Sequence, residues 1–446
     1  MNPVFVSLLA AALVSVAWPA EGAGSSMELE VGLARPMLPA GRKTVAHLRV
    51  SLIGQALPVA ARRPPVNVCL AIDRSGSMQG EKIAGAREGA IAALGRLGPA
   101  DIVSVVAYDD VVQVLVPATR ASERGFIESG IRNLQAGGST ALFAGVVKCA
   151  SELRKFVDRN RVSRIILLSD GVANVGPSSP AELGSLGAQL MEEGISVATV
   201  GLGTGYNEDL MNELAMRSDG GHVFVERAED LGRFLDDQLA AVTEVVARDV
   251  DVRIRCAPGV KPLRVLGRPA DIVGSTVTAP FAKIYARRQH YFVLELEVEP
   301  GAGDSARRLA DVQVKFHDLL RNQNDQRAQP VLAHFTSRPA EVESRANPAI
   351  LAELKLLDDS AATESALQML KSGNSRAARQ ILEQNAAQLE ETMRTTKDRR
   401  LEERARKARE QARRVATLPA LPNIKQMREQ IGNGPLDGLK LPGSGF

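Results

Sequence analysis

Hydrophobic and polar positions change rhythm along this chain. Between Met27 and Leu52 they alternate, with Ala46, Leu48, Val50 and Leu52 interleaved with His47, Arg49 and Ser51. A period of two puts the apolar side chains on one face and predicts a strand with one solvated side, the texture of an antiparallel sheet. From Pro64 to about Thr243 the apolar runs become unbroken: VNVCLAI, IVSVVAY, RIILLS, ISVATVG and HVFV. Helical patterning separates them, over residues 81–97, 123–134, 141–157, 181–193, 207–217 and 228–242. Strands apolar on both sides must be covered on both sides, which predicts a doubly wound, mostly parallel α/β sheet over residues 64–245. In YDDVVQVLVPA, Asp109-Asp110 reads as a turn between two β-rich runs and predicts a hairpin with an edge strand.

Alternation then returns. Val250, Val252, Ile254 and Cys256 interleave with Asp251, Arg253 and Arg255; Phe292, Leu294, Leu296 and Val298 with Glu295 and Glu297; Val312, Val314 and Phe316 with Gln313 and Lys315. A few N-terminal strands alone are marginal, so the economical packing joins residues 27–62 and 247–336 in one antiparallel β-sandwich with the α/β domain inserted. Residues 341–416 read as helical, with SGNS (372–375) as a turn in a hairpin or small bundle, and residues 417–446 as a disordered tail.

A chain of 446 residues is long enough for several cores. Its 45% apolar and 24% charged content is that of an ordinary globular protein, and a net charge of +3 gives no argument for nucleic acid. Cys69, Cys149 and Cys256 show no CxxC spacing, and no disulfide framework is expected. Val4 to Trp18 is an uncharged apolar run followed by small residues, with cleavage after Ala17, Ala20 or Ala23. The expectation is an export signal over residues 1–23 and a periplasmic or secreted protein. An uncleaved anchor and a buried helix are the alternatives, because the run lacks a leading Lys or Arg.

The chemistry concentrates at strand ends. AIDRSGSM puts Asp73, Ser75 and Ser77 at alternate positions directly after an apolar strand, where ligands of doubly wound sheets bind. AGGSTALFAGV places Ser139 and Thr140 in a glycine-rich loop before a helix, and RIILLSDG places Asp170 at another strand end. Carboxylates and hydroxyls of this kind suit a hard divalent cation, which takes about six oxygens. Singly, DRSGS also reads as a helix cap and DG as a turn.

In that order and context the motifs resemble von Willebrand factor type A (VWA) domains carrying a metal-ion-dependent adhesion site, whose signature is DxSxS, a distant Thr and a distant Asp. The resemblance spans residues 64–245. DGVANVGPSSP and VGLGTGYNEDLMNELA are further similar to bacterial exported members with a flanking sandwich, related in plan to inter-alpha-trypsin inhibitor heavy chains. The resemblance implies that Ser75, Ser77 and Thr140 bind the metal through hydroxyls, with Asp73 and Asp170 acting directly or through water. It implies Mg²⁺, with Mn²⁺ or Ca²⁺ as alternatives, and a protein partner presenting a Glu or Asp carboxylate. Asp73 is expected to orient Ser75 and Ser77 by accepting their hydroxyl protons.

Enzyme readings fare worse. GLGTGY (201–206) has Tyr206 where a dinucleotide loop needs its third glycine, DRSGSM lacks the GxSxG frame, and the five histidines are scattered. The expectation is a non-enzymatic adhesion or scaffold protein of the bacterial envelope. The alternative is an assembly component in which the metal only stabilises loops and binding runs through the basic C-terminal helix, around Met393 to Arg414, toward envelope polymers or a membrane surface.

Overall fold

The computed structural model describes residues 25–56, 63–156, 158, 160–203 and 205–416. The expected export signal and disordered tail lie outside the described residues, as do residues 57–62. The chain enters on β1 (Met27–Leu33), β2 (Met37–Pro39) and β3 (Thr44–Gly54). An α/β run follows: β4 (Val66–Asp73), α1 (Glu81–Ala93), β5 (Ile102–Tyr108), β6 (Val112–Arg120), α2 (Arg124–Arg132), α3 (Leu142–Arg154), β7 (Val162–Ser169), α4 (Pro180–Glu192), β8 (Ile195–Leu202), α5 (Glu208–Arg217), β9 (His222–Val225) and α6 (Leu231–Thr243). Strands then return as β10 (Val245–Cys256), β11 (Val260–Leu266), β12 (Asp271–Val273), β13 (Thr276–Tyr285), β14 (Gln289–Val298), β15 (Ala306–Asp318) and β16 (Gln323–Thr336). Helices α7 (Pro339–Ser344), α8 (Pro348–Lys371), α9 (Ser375–Thr396) and α10 (Arg399–Ala416) close the described chain.

The central sheet has the order β6-β5-β4-β7-β8-β9. All pairs are parallel except β5 with β6, the antiparallel edge hairpin that the Asp109-Asp110 turn predicts. Every residue of β4, β5, β7 and β8 is buried, which is why these strands read as unbroken apolar runs. Val66, Val68, Leu70 and Ile72 pack with Ala86 and Ala90 of α1, Ile127 of α2 and Leu235 of α6. Cys69 and Ala71, pointing the other way, pack with Val146 of α3, Leu183 of α4 and Leu214 of α5. Helices thus cover both faces, as a doubly wound sheet requires.

The cysteine expectation is corrected. Cys69 on β4 and Cys149 on α3 form a disulfide, their Cα atoms 5.6 Å apart and 80 positions apart in sequence. The partners meet only because α3 lies across β4, so no local spacing announces the pair. Cys256 stays free and buried.

The flanking strands form two sheets, β1-β3-β14-β11 and β12-β13-β10-β15-β16-β2. Leu48 and Val50 of β3, Phe292 and Leu294 of β14, Val252 of β10 and Val314 of β15 share one core between them. Val293 breaks the alternation of β14 because its face is also covered: it packs with Leu266, Tyr291 and Leu357 of α8. The Arg49–Glu353 ion pair, at 3.2 Å, ties α8 to β3 beside that contact.

The α/β domain meets the sandwich at the amino ends of its strands. Lys283 of β13 donates to the Ser163 carbonyl and to Ser196 Oγ (2.8 Å), and Arg164 donates to Ser196 Oγ (3.1 Å) and to the Tyr285 hydroxyl. Arg248 of β10 donates to the Arg161 carbonyl at 2.9 Å.

The basic segment is not one helix. It breaks at Lys397, whose backbone is left-handed (φ 59°), and α10 folds back on α9. Its apolar stripe is short-sided: Leu401, Ala405, Ala408, Ala412 and Val415 are buried. Arg404 and Asn385 both donate to the buried Asp359, pinning α10 and α9 to α8. No helix among the described residues is long and apolar enough to cross a membrane.

Candidate functional site

Parallel pairing of β4 with β7, from Val66 opposite Val162 to Ile72 opposite Leu168, brings the carboxyl ends of the two strands together at the middle of the sheet. Asp73 is the last residue of β4 and is fully buried. Its Oδ1 accepts the Ser75 N–H (2.8 Å), which turns the loop back over the carboxylate, and its Oδ2 accepts the Ser169 hydroxyl (2.6 Å). Burial pushes the Asp73 carboxyl up to about 6, against the Ser169 and Ser75 hydrogen bonds that favour its charged form. Ser75 Oγ lies 3.1 Å from Ser77 Oγ, and the Ser77 hydroxyl donates to Asp170 Oδ1 at 2.7 Å. The expectation that Asp73 takes the Ser77 hydroxyl proton is therefore corrected: Asp170, reaching in from β7, takes it.

Thr140 arrives by backbone stitching. Gly137 N–H donates to the Arg74 carbonyl (2.7 Å) and Gly76 N–H to the Gly138 carbonyl (3.0 Å), which fastens the glycine-rich loop to the 73–77 loop. Gly138 holds a left-handed conformation (φ 80°), and a Cβ there would collide with the Asp109 and Asp110 side chains. The Thr140 N–H donates to Asn174 Oδ1 (2.9 Å), and the Thr140 carbonyl accepts the Asn174 and Val175 N–H groups (3.2 and 3.3 Å). A Cβ built on Gly171 would lie 3.2 Å from Thr140 Oγ1, 3.5 Å from Ser77 Oγ and 3.7 Å from Ser75 Oγ, so three hydroxyls from two loops face one spot. Ser139 remains exposed, its N–H directed at Asp110.

These residues fit a divalent cation in the spacing of their hydroxyl oxygens. Neighbouring ligand oxygens around Mg²⁺, each about 2.1 Å from the ion in an octahedron, stand about 3 Å apart, close to the Ser75–Ser77 separation of 3.1 Å. Among the described residues no group of three or more His, Cys, Asp or Glu side chains could hold a metal. A cation here would be held mainly by the neutral hydroxyls of Ser75, Ser77 and Thr140, with the carboxylates of Asp73 and Asp170 behind them.

Sequence reasoning missed several residues of this arrangement. Ser169, which braces Asp73, was detectable as a hydroxyl ending an apolar strand beside Asp170. Asn174, which braces Thr140, lies within DGVANVG. Lys82, whose ammonium bonds Asp170 Oδ2 at 2.5 Å, carries no strand-end signal because it belongs to the first turn of α1.

Residues 67–237 match the family profile of the von Willebrand factor type A domain. The chain carries a VWA domain, and domains of this family typically serve protein–protein interaction or adhesion and commonly bind a divalent metal. It is 29% identical over 205 residues to the uncharacterized protein sll0103 of Synechocystis sp., covering 46% of this chain and 48% of that one. It is 27% identical over 197 residues to the uncharacterized protein YfbK of Escherichia coli, covering 44% and 34%. To human inter-alpha-trypsin inhibitor heavy chain H3 it is 28% identical over 178 residues, covering 37% and 19%. The matched regions thus span about half or less of these relatives' lengths. In fold, it superposes on a von Willebrand factor type A structure from Catenulispora acidiphila with a TM-score of 0.70 at 18% identity, covering 86% of this chain and 89% of that one. It also superposes on the ArnB paralog VWA2 of Sulfolobus acidocaldarius at 0.61 and 16% identity, covering 91% and 98%. The likeness extends beyond the α/β domain to the flanking regions.

Proposed function

We propose that the protein is an exported, non-enzymatic binding protein whose VWA domain captures a partner's Asp or Glu carboxylate through a divalent cation, Mg²⁺ first among candidates. The carrying observation is the convergence of the Ser75, Ser77 and Thr140 hydroxyls over the buried Asp73 and Asp170. A bound cation would supply a positive centre only partly quenched by its mostly neutral donors, and so an attraction for an anionic oxygen. Ser75, Ser77 and Thr140 would hold the ion; Asp73, braced by Ser169, fixes the Ser75 loop; Asp170 fixes Ser77; Asn174 fixes Thr140. The buried Cys69–Cys149 disulfide supports the export reading, since such bonds persist in oxidising compartments.

The reading through the C-terminal helices has less support. Arg406, Lys407, Arg413 and Arg414 lie exposed on α10, but Lys407 pairs with Glu403 and Arg414 with Glu410, while Arg409 pairs with Glu390. The test is affinity capture of an envelope partner in Mg²⁺ and in EDTA, with the intact chain, the Asp73→Ala variant and a chain lacking residues 341–446. Capture that needs metal and Asp73 supports the proposal. Capture that ignores both but needs the helices replaces it with the second reading.

A further inference from the structure

Lys82 is the one cationic side chain that the structure brings onto Asp170 among the ion pairs of the described residues. The Asp170 side chain is wholly buried and both its oxygens are engaged: Oδ1 by the Ser77 hydroxyl at 2.7 Å, Oδ2 by the Lys82 ammonium at 2.5 Å. Lys82 differs from Asp170 in exposure, its own side chain being 37% exposed. Its stem runs from the first turn of α1 past Gly203, where a Cβ would stand 3.9 Å from Lys82 Cε. The lysine is thus anchored by its tip at a buried carboxylate, while its side chain as a whole remains partly exposed.

We propose that Lys82 is a tethered counter-ion of the cation site, holding Asp170 when no divalent ion is present and opposing the ion's entry. The inference rests on reading the site as a cation site. A buried carboxylate without a positive partner is costly, and Lys82 meets that cost internally. Two charges of like sign next to one carboxylate repel strongly at this depth, where screening by water is weak. A divalent ion entering beside Ser77 and Asp170 must therefore work against the ammonium or displace the partly exposed lysine from Asp170. Lys82 in this way lowers the site's affinity for metal and keeps the ion-free loop ordered. That would make occupancy responsive to the surrounding Mg²⁺ concentration rather than permanent.

The test compares the full chain with Lys82→Met, which keeps the stem and removes the charge, and Lys82→Arg, which keeps a charge. Binding of MgCl₂ and MnCl₂ is measured by calorimetry, and melting by circular dichroism with and without metal. Lys82→Met should bind metal roughly tenfold more tightly, the scale of one well-placed, partly exposed charge pair. Its metal-free form should melt below wild type and gain more on metal addition, while Lys82→Arg stays near wild type. Wild type that binds metal together with a folded Lys82→Met that binds no more tightly overturns the counter-ion role and leaves the cation site standing. A Lys82→Met that binds when wild type does not supports the role in its strongest form. Failure of both to bind overturns the role and the cation site together. If Lys82→Met fails to fold, Lys82→Gln takes its place under the same criteria.

Discussion

Replacing Cys69 and Cys149 together with alanine opens a covalent loop of 80 residues that joins the central strand β4 to α3. In the chain-entropy treatment, closing a loop of that length restricts the unfolded chain by about 4.5 kcal/mol at 25 °C. Both side chains are fully buried, and deleting two buried sulfurs adds roughly 1.5 kcal/mol if each is taken as one methylene. A loss of about 6 kcal/mol is comparable to the whole stability of many domains, about 5–15 kcal/mol. The double variant should therefore unfold at a much lower urea concentration, followed by far-UV circular dichroism. Thiol titration of the denatured, unreduced wild type supplies an independent check: one reactive thiol, from Cys256, is expected. Three reactive thiols, or a stability loss below about 1 kcal/mol, would refute the reasoning.

Other outcomes follow from the same contacts. Asp73→Ala should abolish metal-dependent partner binding while costing roughly 2–6 kcal/mol of stability for the two hydrogen bonds lost to Ser75 and Ser169; calorimetry with and without EDTA, beside a melting curve, separates the two effects. Gly138→Ala should destabilise the Thr140 loop, since its φ of 80° alone costs about 1 kcal/mol for alanine and the side chains of Asp109 and Asp110 stand in the way; melting and metal titration should both worsen. His290, stacked by Tyr285, has its imidazole pushed down to about 4 by burial, against the Asp219 carboxylate, which favours the charged ring, and with Arg268 and Arg288 acting in the same direction as burial. Above pH 6.5 the ring is neutral folded and unfolded; as pH falls from 6.5 toward 4 only the unfolded chain takes the proton, so stability drops by at most about 3–4 kcal/mol. His290→Phe should flatten that part of a urea-midpoint-against-pH curve, and an unchanged slope would count against the assignment.

What the residue pattern foretold, and what it did not, divides along the range of the interactions. Unbroken apolar runs such as VNVCLAI and ISVATVG exist because helices cover both faces, so the covering could be read from the strands themselves. The alternation in Ala46 to Leu52 and Val250 to Cys256 likewise announced sheets with one inner face. Asp73, Ser75, Ser77, Thr140 and Asp170 stood out because strand ends in a doubly wound sheet leave few places for polar residues to go. Lys82 did not, since a lysine in the first turn of a helix is usually solvated, and only the approach of β7 to α1 makes it a partner of Asp170. Cys69 and Cys149 failed for the same reason: their meeting depends on how α3 lies across the sheet. The break at Lys397 was hidden by a segment uniformly rich in helix formers, where alanines rather than large apolar residues supply the buried stripe of α10.

The hold of the sandwich on the α/β domain falls at Ser163, Arg164 and Ser196, near where β7 and β8 begin, while Asp73 and Asp170 lie at and just past the ends of β4 and β7. An eight-residue strand measures about 26 Å. On the proposed reading the insert would act as a spacer: a partner docking at its far rim would stand about a strand length from the platform that the sandwich forms.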